Sequence, residues 1–189
     1  MAVRQIRDLF VTQRSSDLRK DLADAGISVP GRRPPLELSV VLNFDDVADG
    51  TIIDSQYTGV TLAAIKPGQT AKGHVYARKS WDKNNSTNVM SVQPPDIGLA
   101  TFDDGTGCIE VCFATAVKSV AVDALALAWQ DLRPVTAKPY LEAYDANGNK
   151  LARVMYPASF GDANWGTWLR LQYVASGAAI ARVLIGSER

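Results

Sequence analysis

From Leu38 onward the chain is built of short runs in which apolar and polar positions alternate, separated by residues that favour turns. Leu38, Val40, Leu42 and Phe44 fall on one face of a first strand, Val60, Leu62 and Ala64 on one face of the next clear run, and Ile109, Val111 and Phe113 on a third. A period of two puts successive side chains on opposite faces of a strand, so each run predicts a strand with one face toward a core. In AVDALALAW the inward set passes from Val120 and Val122 to Leu125, Leu127 and Trp129, a change of parity that one extra residue near Asp123 would produce. In YLEAYDANGNKLARVMY two alternating runs flank Asn147-Gly148, a pair that accepts the positive φ of a tight hairpin turn. Trp168 to Val174 and Ile180 to Ile185 form the last two strands, joined at Ser176-Gly177. Roughly ten strands at such spacings predict an all-β, antiparallel sandwich or barrel, and the absence of strand-helix alternation excludes a parallel α/β sheet.

The amino-terminal segment reads differently. Ile6, Leu9, Phe10, Leu18, Leu22 and Ala25 recur at helical intervals, Ser15 or Ser16 could cap a turn, and Gly26 supplies a stop, so the spacing predicts a helix between Ile6 and Ala25. Ile27 to Pro35, ISVPGRRPP, has the composition of an extended connector. The expected organisation is a helical arm and connector over 1–35 and a β-domain over 36–189. Such an arm either packs on the domain or docks onto a protein partner or a second copy.

Charge narrows the classes of partner. In 189 residues, 20 Lys and Arg balance 20 Asp and Glu, the pI is about 6.6, and Arg32-Arg33 and Arg78-Lys79 are isolated pairs, so nucleic acid is not an expected partner. No apolar run approaches the roughly 20 residues that span a bilayer, so membrane insertion is not expected. The first residues, MAVRQIRDLFVTQRSSDLRK, lack the apolar stretch of a signal peptide. Cys108 and Cys112 lie on one predicted strand, roughly 13 Å apart and beyond disulfide reach, and two free thiols point to a reducing compartment such as the cytoplasm.

Four motifs carry a family resemblance. NFDDVADGTIIDSQYTGVTL, Asn43 to Leu62, resembles the opening of a β-sandwich domain of bacterial surface and secreted proteins, where an FD or FE pair precedes a glycine turn and a Q-Y-x-G-V-T strand. GCIEVCFATAVKSVAVD, LEAYDANGNKLA and the closing I-x-x-V-x-I strand resemble later pieces of the same family in the same order, from about Leu38 to Ile185. The resemblance implies a galactose-binding-like jelly-roll sandwich, a recognition role of the carbohydrate-binding or lectin type, and an extracellular setting. It also implies a structural calcium ion, for which Asp45, Asp46 and Asp49 would supply oxygen ligands. The chain departs from the pattern at Ala181 and Arg182, where an acidic residue commonly completes the clamp, and the same aspartates also read as a solvated turn ending at Gly50.

Sugar recognition needs aromatic faces for the C–H surfaces of pyranose rings and planar polar groups for their hydroxyls. HVYARKSWDKNNSTN offers Tyr76, Trp81, Asn84 and Asn85, and GDANWGTWLR offers Asn164 and Trp165, both at predicted strand ends or loops. Trp129 and Trp168 read as core. Catalysis has less to work with. His74, the single histidine, sits in no nucleophile elbow or zinc motif, and adjacent doublets such as Asp45-Asp46 and Asp103-Asp104 point to opposite faces of a strand. The expectation is therefore a non-catalytic module that binds carbohydrate, followed by a protein-interaction subunit and, third, a polysaccharide-active enzyme.

Overall fold

The computed structural model describes residues 2–13, 38–65, 70–79, 88–92, 107–128, 138–155, 168–177 and 179–188. Alternation becomes strands throughout, and the described residues form eleven strands and one three-residue 3-10 turn, Phe44–Asp46. The strands are β1 (Ala2–Gln13), β2 (Leu38–Asn43), β3 (Val60–Ile65), β4 (Tyr76–Lys79), β5 (Asn88–Ser91), β6 (Cys108–Val117), β7 (Ser119–Ala128), β8 (Lys138–Tyr144), β9 (Lys150–Met155), β10 (Trp168–Val174) and β11 (Ile180–Glu188). Among them no helix is long and apolar enough to cross a membrane.

The strands assemble into two antiparallel sheets. One has six strands in the order β10-β7-β1-β5-β4, with β2 also paired to β1, and the other has five in the order β3-β6-β11-β8-β9. A single apolar cluster draws on both. Ile109, Val111 and Phe113 come from β6, Leu141 and Ala143 from β8, and Val183 and Ile185 from β11, while the first sheet gives Leu42, Ala77, Met90, Val120, Val122 and Leu171. Leu62 and Ala64 of β3 and Phe44 of the 3-10 turn join them, as their spacing predicts. Each fully buried Ile, Leu or Phe of this set contributes about 1.5–3 kcal/mol.

The expected amino-terminal helix is corrected by the structure. Residues Ile6 to Gln13, the first part of that helix, lie in β1, which pairs with β7 on one side and with β2 and β5 on the other. The remainder, from Arg14 to Pro35, lies outside the described residues. The physical reason for the misreading is a bulge. Ile6 pairs with Ala124 and Leu9 with Val122, so three steps on β1 match two on β7. An apolar spacing of three, which reads as a helical turn, is here a strand with one extra residue.

The extra residue expected near Asp123 is not found on β7, whose pairing with β10 runs unbroken from Val122 to Leu125; the one extra residue at that level is on β1 and leaves the phase of β7 unchanged. The β8–β9 hairpin forms as expected, closed by a longer loop than a two-residue turn. Gly148 N–H donates to the Asp145 carbonyl at 3.1 Å with Gly148 at φ 83°, and Asp145 N–H donates to the Asn149 carbonyl at 3.0 Å. The Asp145 carboxylate accepts from the backbone N–H of Asn147 and Asn149 at 2.9 and 2.8 Å and tightens the turn further. The last two strands are adjacent in sequence but divided between the sheets, β10 beside β7 and β11 between β6 and β8.

Candidate functional site

Since Ile109, Val111, Leu141, Ala143, Val183 and Ile185 face the core, the alternate residues of β6, β8 and β11 lie on the opposite face of the five-stranded sheet. Register arranges that outer face in three rows across the strands. The first runs Thr61, Cys112, Arg182, Tyr144, Lys150, the second Ala63, Glu110, Leu184, Glu142, Arg153, and the third Ile65, Cys108, Gly186, Tyr140, Met155. Glu110 and Glu142 thus flank Leu184, at backbones about 10 Å apart, or two strand spacings.

Both glutamates are buried by their neighbours and both are paired. The Glu110 side chain is 6% exposed, accepts from Arg182 Nη1 at 3.2 Å and takes a short contact from Lys72 Nζ. The Glu142 side chain is 10% exposed and accepts from Lys150 Nζ at 2.8 Å and from the Tyr144 hydroxyl at 2.5 Å, with Arg153 Nε at 3.6 Å. Each arginine also lies over a ring: Arg182 Cζ is 4.4 Å from the Tyr144 centroid and Arg153 Cζ is 4.5 Å from that of Tyr140. Such stacking is worth about 0.5–1 kcal/mol at exposed sites. The Tyr140 ring crosses β11 where Gly186 offers no side chain, because a Cβ there would stand 2.5 Å from the Tyr140 hydroxyl oxygen.

These contacts tune the titrating groups. Burial works to raise the Glu142 carboxyl, but hydrogen bonds from Lys150 and Tyr144 and the charges of Lys150 and Arg153 outweigh it and hold the group below the usual carboxylate range. Burial, and then donation to Glu142, push the Tyr144 hydroxyl up to about 12. The hydrogen bond to Glu110 raises Lys72, and burial pushes the Cys108 thiol up to about 11 and Cys112 in the same direction. Both cysteines are free, as their spacing predicts. A carboxylate held ionised near neutrality is a hydrogen-bond acceptor for hydroxyls and a poor proton donor, so Glu142 suits recognition better than general acid chemistry.

Of the ligand-binding residues expected from sequence, Tyr76 is described, at the start of β4. Its ring lies edge-on to His74 with centroids 6.2 Å apart, and His74 Nδ1–H donates to Asp54 Oδ2 at 2.5 Å while Asp54 Oδ1 accepts from Val75 N–H at 2.7 Å. Asp54 was not legible as a partner, because only the pairing of Thr51 to Ile53 with Val75 to Ala77 brings it beside His74. Trp81, Asn84, Asn85, Asn164 and Trp165 lie outside the described residues, as does Trp129, and Trp168 is half-buried at the start of β10. The outer-face tyrosines and arginines escaped sequence reasoning, although the alternation of Tyr140, Glu142 and Tyr144 against Leu141 and Ala143 carried the signal.

The three aspartates expected at a calcium site lie in or just after the 3-10 turn. Asp45 is exposed in the 3-10 turn, Asp46 accepts from the Tyr57 hydroxyl at 2.7 Å, and Asp49 accepts from Arg78 Nε at 3.1 Å and Lys79 N–H at 2.8 Å. Burial, and then the bond to Asp46, hold the Tyr57 hydroxyl well above its ordinary value. Among the described residues no group of three or more His, Cys, Asp or Glu side chains could hold a metal ion. Comparisons with protein-family models, with curated proteins and with solved structures found no match to this chain.

Proposed function

We propose that the chain is a non-catalytic recognition module, a jelly-roll sandwich that binds carbohydrate on the outer face of the five-stranded sheet. The observation that carries this reading is the row structure of that face, in which Tyr140 and Tyr144 alternate with Glu142 on one strand and are overlaid by Arg153 and Arg182 from its neighbours. Rings and guanidinium planes held by cross-strand pairs form an ordered platform, and an ordered platform loses little side-chain entropy when a ligand settles on it. The guanidinium and ammonium groups that stand outermost offer donors to sugar hydroxyls, and the tyrosine rings beneath them hold the guanidinium planes in place. The residues expected from sequence, Tyr76 at the start of β4 with Trp81, Asn84, Asn85, Asn164 and Trp165, are a second place where the same chemistry could be mounted.

A glycan microarray, followed by affinity electrophoresis on the polysaccharides that score, tests the reading. Retention that is lost in Tyr144→Ala and kept in Trp81→Ala assigns binding to the sheet face. The reverse pattern assigns it to the loops, and retention on no glycan overturns the recognition reading.

A further inference from the structure

Resting on that reading, we infer that the glycan is acidic, with sugar-ring carboxylates of the uronic acid type meeting the exposed cations of this face, Lys72 and Arg182 beside Glu110 and Lys150 and Arg153 beside Glu142. The whole chain is neutral, with 20 basic and 20 acidic side chains, yet around Glu110 and Glu142 the cations outnumber the carboxylates. Four cations, Lys72, Lys150, Arg153 and Arg182, surround two carboxylates, Glu110 and Glu142, so each carboxylate is shared by two cations. The two acidic positions are fixed by the fold on either side of Leu184, and the surplus positive charge is spread around them.

The geometry favours an anion over a neutral sugar in a second way. Glu110 and Glu142 are nearly closed to solvent, whereas the side chains of Lys72, Lys150, Arg153 and Arg182 keep 59%, 49%, 34% and 34% of their exposure. A ligand arriving from solvent therefore meets the cations first. Guanidinium forks match a planar carboxylate in two-point hydrogen bonding, and the stacking of each arginine on a tyrosine holds that fork in place before the ligand arrives. A patch of this size steers a ligand with isolated negative groups and offers no extended track for a polyphosphate, in line with the expectation that nucleic acid is not a partner.

The test compares polygalacturonate and alginate with the same polymers after carboxyl reduction, and with a neutral galactan and a sulfated galactan, by affinity electrophoresis and calorimetry on the full chain. The expected result is retention on the uronate polymers, weakened about tenfold or more by carboxyl reduction and reduced by added salt. Lys150→Gln with Arg153→Gln should lower that retention by a similar factor with a native circular dichroism spectrum, the urea midpoint falling because Glu142 loses its two cations. Equal retention of reduced and native polymers, or retention on neutral galactan alone, overturns the acidic-ligand inference and leaves carbohydrate recognition standing. Retention on the sulfated polymer alone overturns the choice of a carboxylate. Retention on none of them, together with a blank microarray, overturns both the inference and the reading on which it rests.

Discussion

Replacing Gly186 by alanine places a methyl group where the Tyr140 side chain now lies. The added Cβ would stand 2.5 Å from the Tyr140 hydroxyl oxygen, 2.7 Å from Cζ and 3.1 Å from Cys108 Cβ, so the ring has to swing off β11. That movement takes it from beneath Arg153, whose guanidinium carbon is 4.5 Å from the ring centroid, and forfeits about 0.5–1 kcal/mol of stacking. Overpacking of this kind costs about 1–3 kcal/mol, and the lower entropy of an unfolded chain with alanine gives back about 0.4–1 kcal/mol. The net loss is about 1–2 kcal/mol, which in a chain of this length lowers Tm by about 2–8 °C. Urea unfolding followed by tryptophan fluorescence, with an unchanged m-value, measures it. In a Tyr140→Ala background the clash with the ring is gone, and the same substitution should cost no more than about 0.5 kcal/mol, giving a coupling energy near 1 kcal/mol or above. An identical cost in both backgrounds would refute the placement of Tyr140 across β11. Since the ring belongs to the proposed platform, Gly186→Ala should also weaken glycan retention, whereas an alanine at the exposed turn residue Gly177, where nothing lies within 4 Å of the added Cβ, should not.

Three further outcomes follow from the fold and its charges. Deleting residues 1–13 removes the strand between β7 and the β2 and β5 pair, and circular dichroism with thermal melting should show loss of the cooperative transition; a sharp, unshifted melt would contradict the central position of β1. The Glu142 carboxyl is depressed in the folded state, so its contribution is full above the unfolded value of about 4.3 and is lost as pH falls through the folded value. Glu142→Gln should therefore cost about 1.5–3 kcal/mol at pH 7 and progressively less as the pH drops below about 4, and a gap that stays constant from pH 7 to pH 3 would sink the assignment. Burial pushes the Cys108 thiol up to about 11 and Cys112 upward with it, so both should react with an aromatic disulfide reagent at pH 8 at least about tenfold more slowly than in denaturant.

Where one face of a strand is apolar, period two declares it, and the core positions on β3, β6 and β11 were legible for that reason. β1 was not, because its bulge converts an alternating pattern into one with a step of three, and a step of three is also the mark of a helix. The extra residue expected near Asp123 was a misreading, since β7 pairs with β10 without a break there and the insertion opposite it on β1 does not alter the phase of β7. Partners remote in sequence stayed invisible for a related reason. Glu110 and Arg182 are 72 residues apart and His74 and Asp54 are 20 apart, and only strand order brings either pair together. Aromatic composition drew attention to the tryptophan-rich loops, while the outer face of β8 is written in residues that a sequence reading assigns to the solvated side of a hairpin.

Fold and candidate site are encoded in the same strands in opposite phase, and this couples them. On β11, Val183 and Ile185 face the core while Arg182, Leu184 and Gly186 face outward, so a slip of one residue would carry the Arg182 guanidinium inward, away from Glu110 and Tyr144. Leaving a buried charge without its partner costs about 3–5 kcal/mol, which makes the charged rows a device that fixes register as well as a surface that could read a ligand. The two roles divide by place in the sheet. Lys150 and Arg153 lie toward the sheet edge on β9, where their loss should weaken binding and leave the register alone. Glu110 and Arg182 lie on adjacent inner strands, and their removal should disturb pairing and binding together, so a panel of outer-face variants sorted by amide exchange on β6 and β11 separates the residues that only meet the ligand from those that also hold the sheet in register.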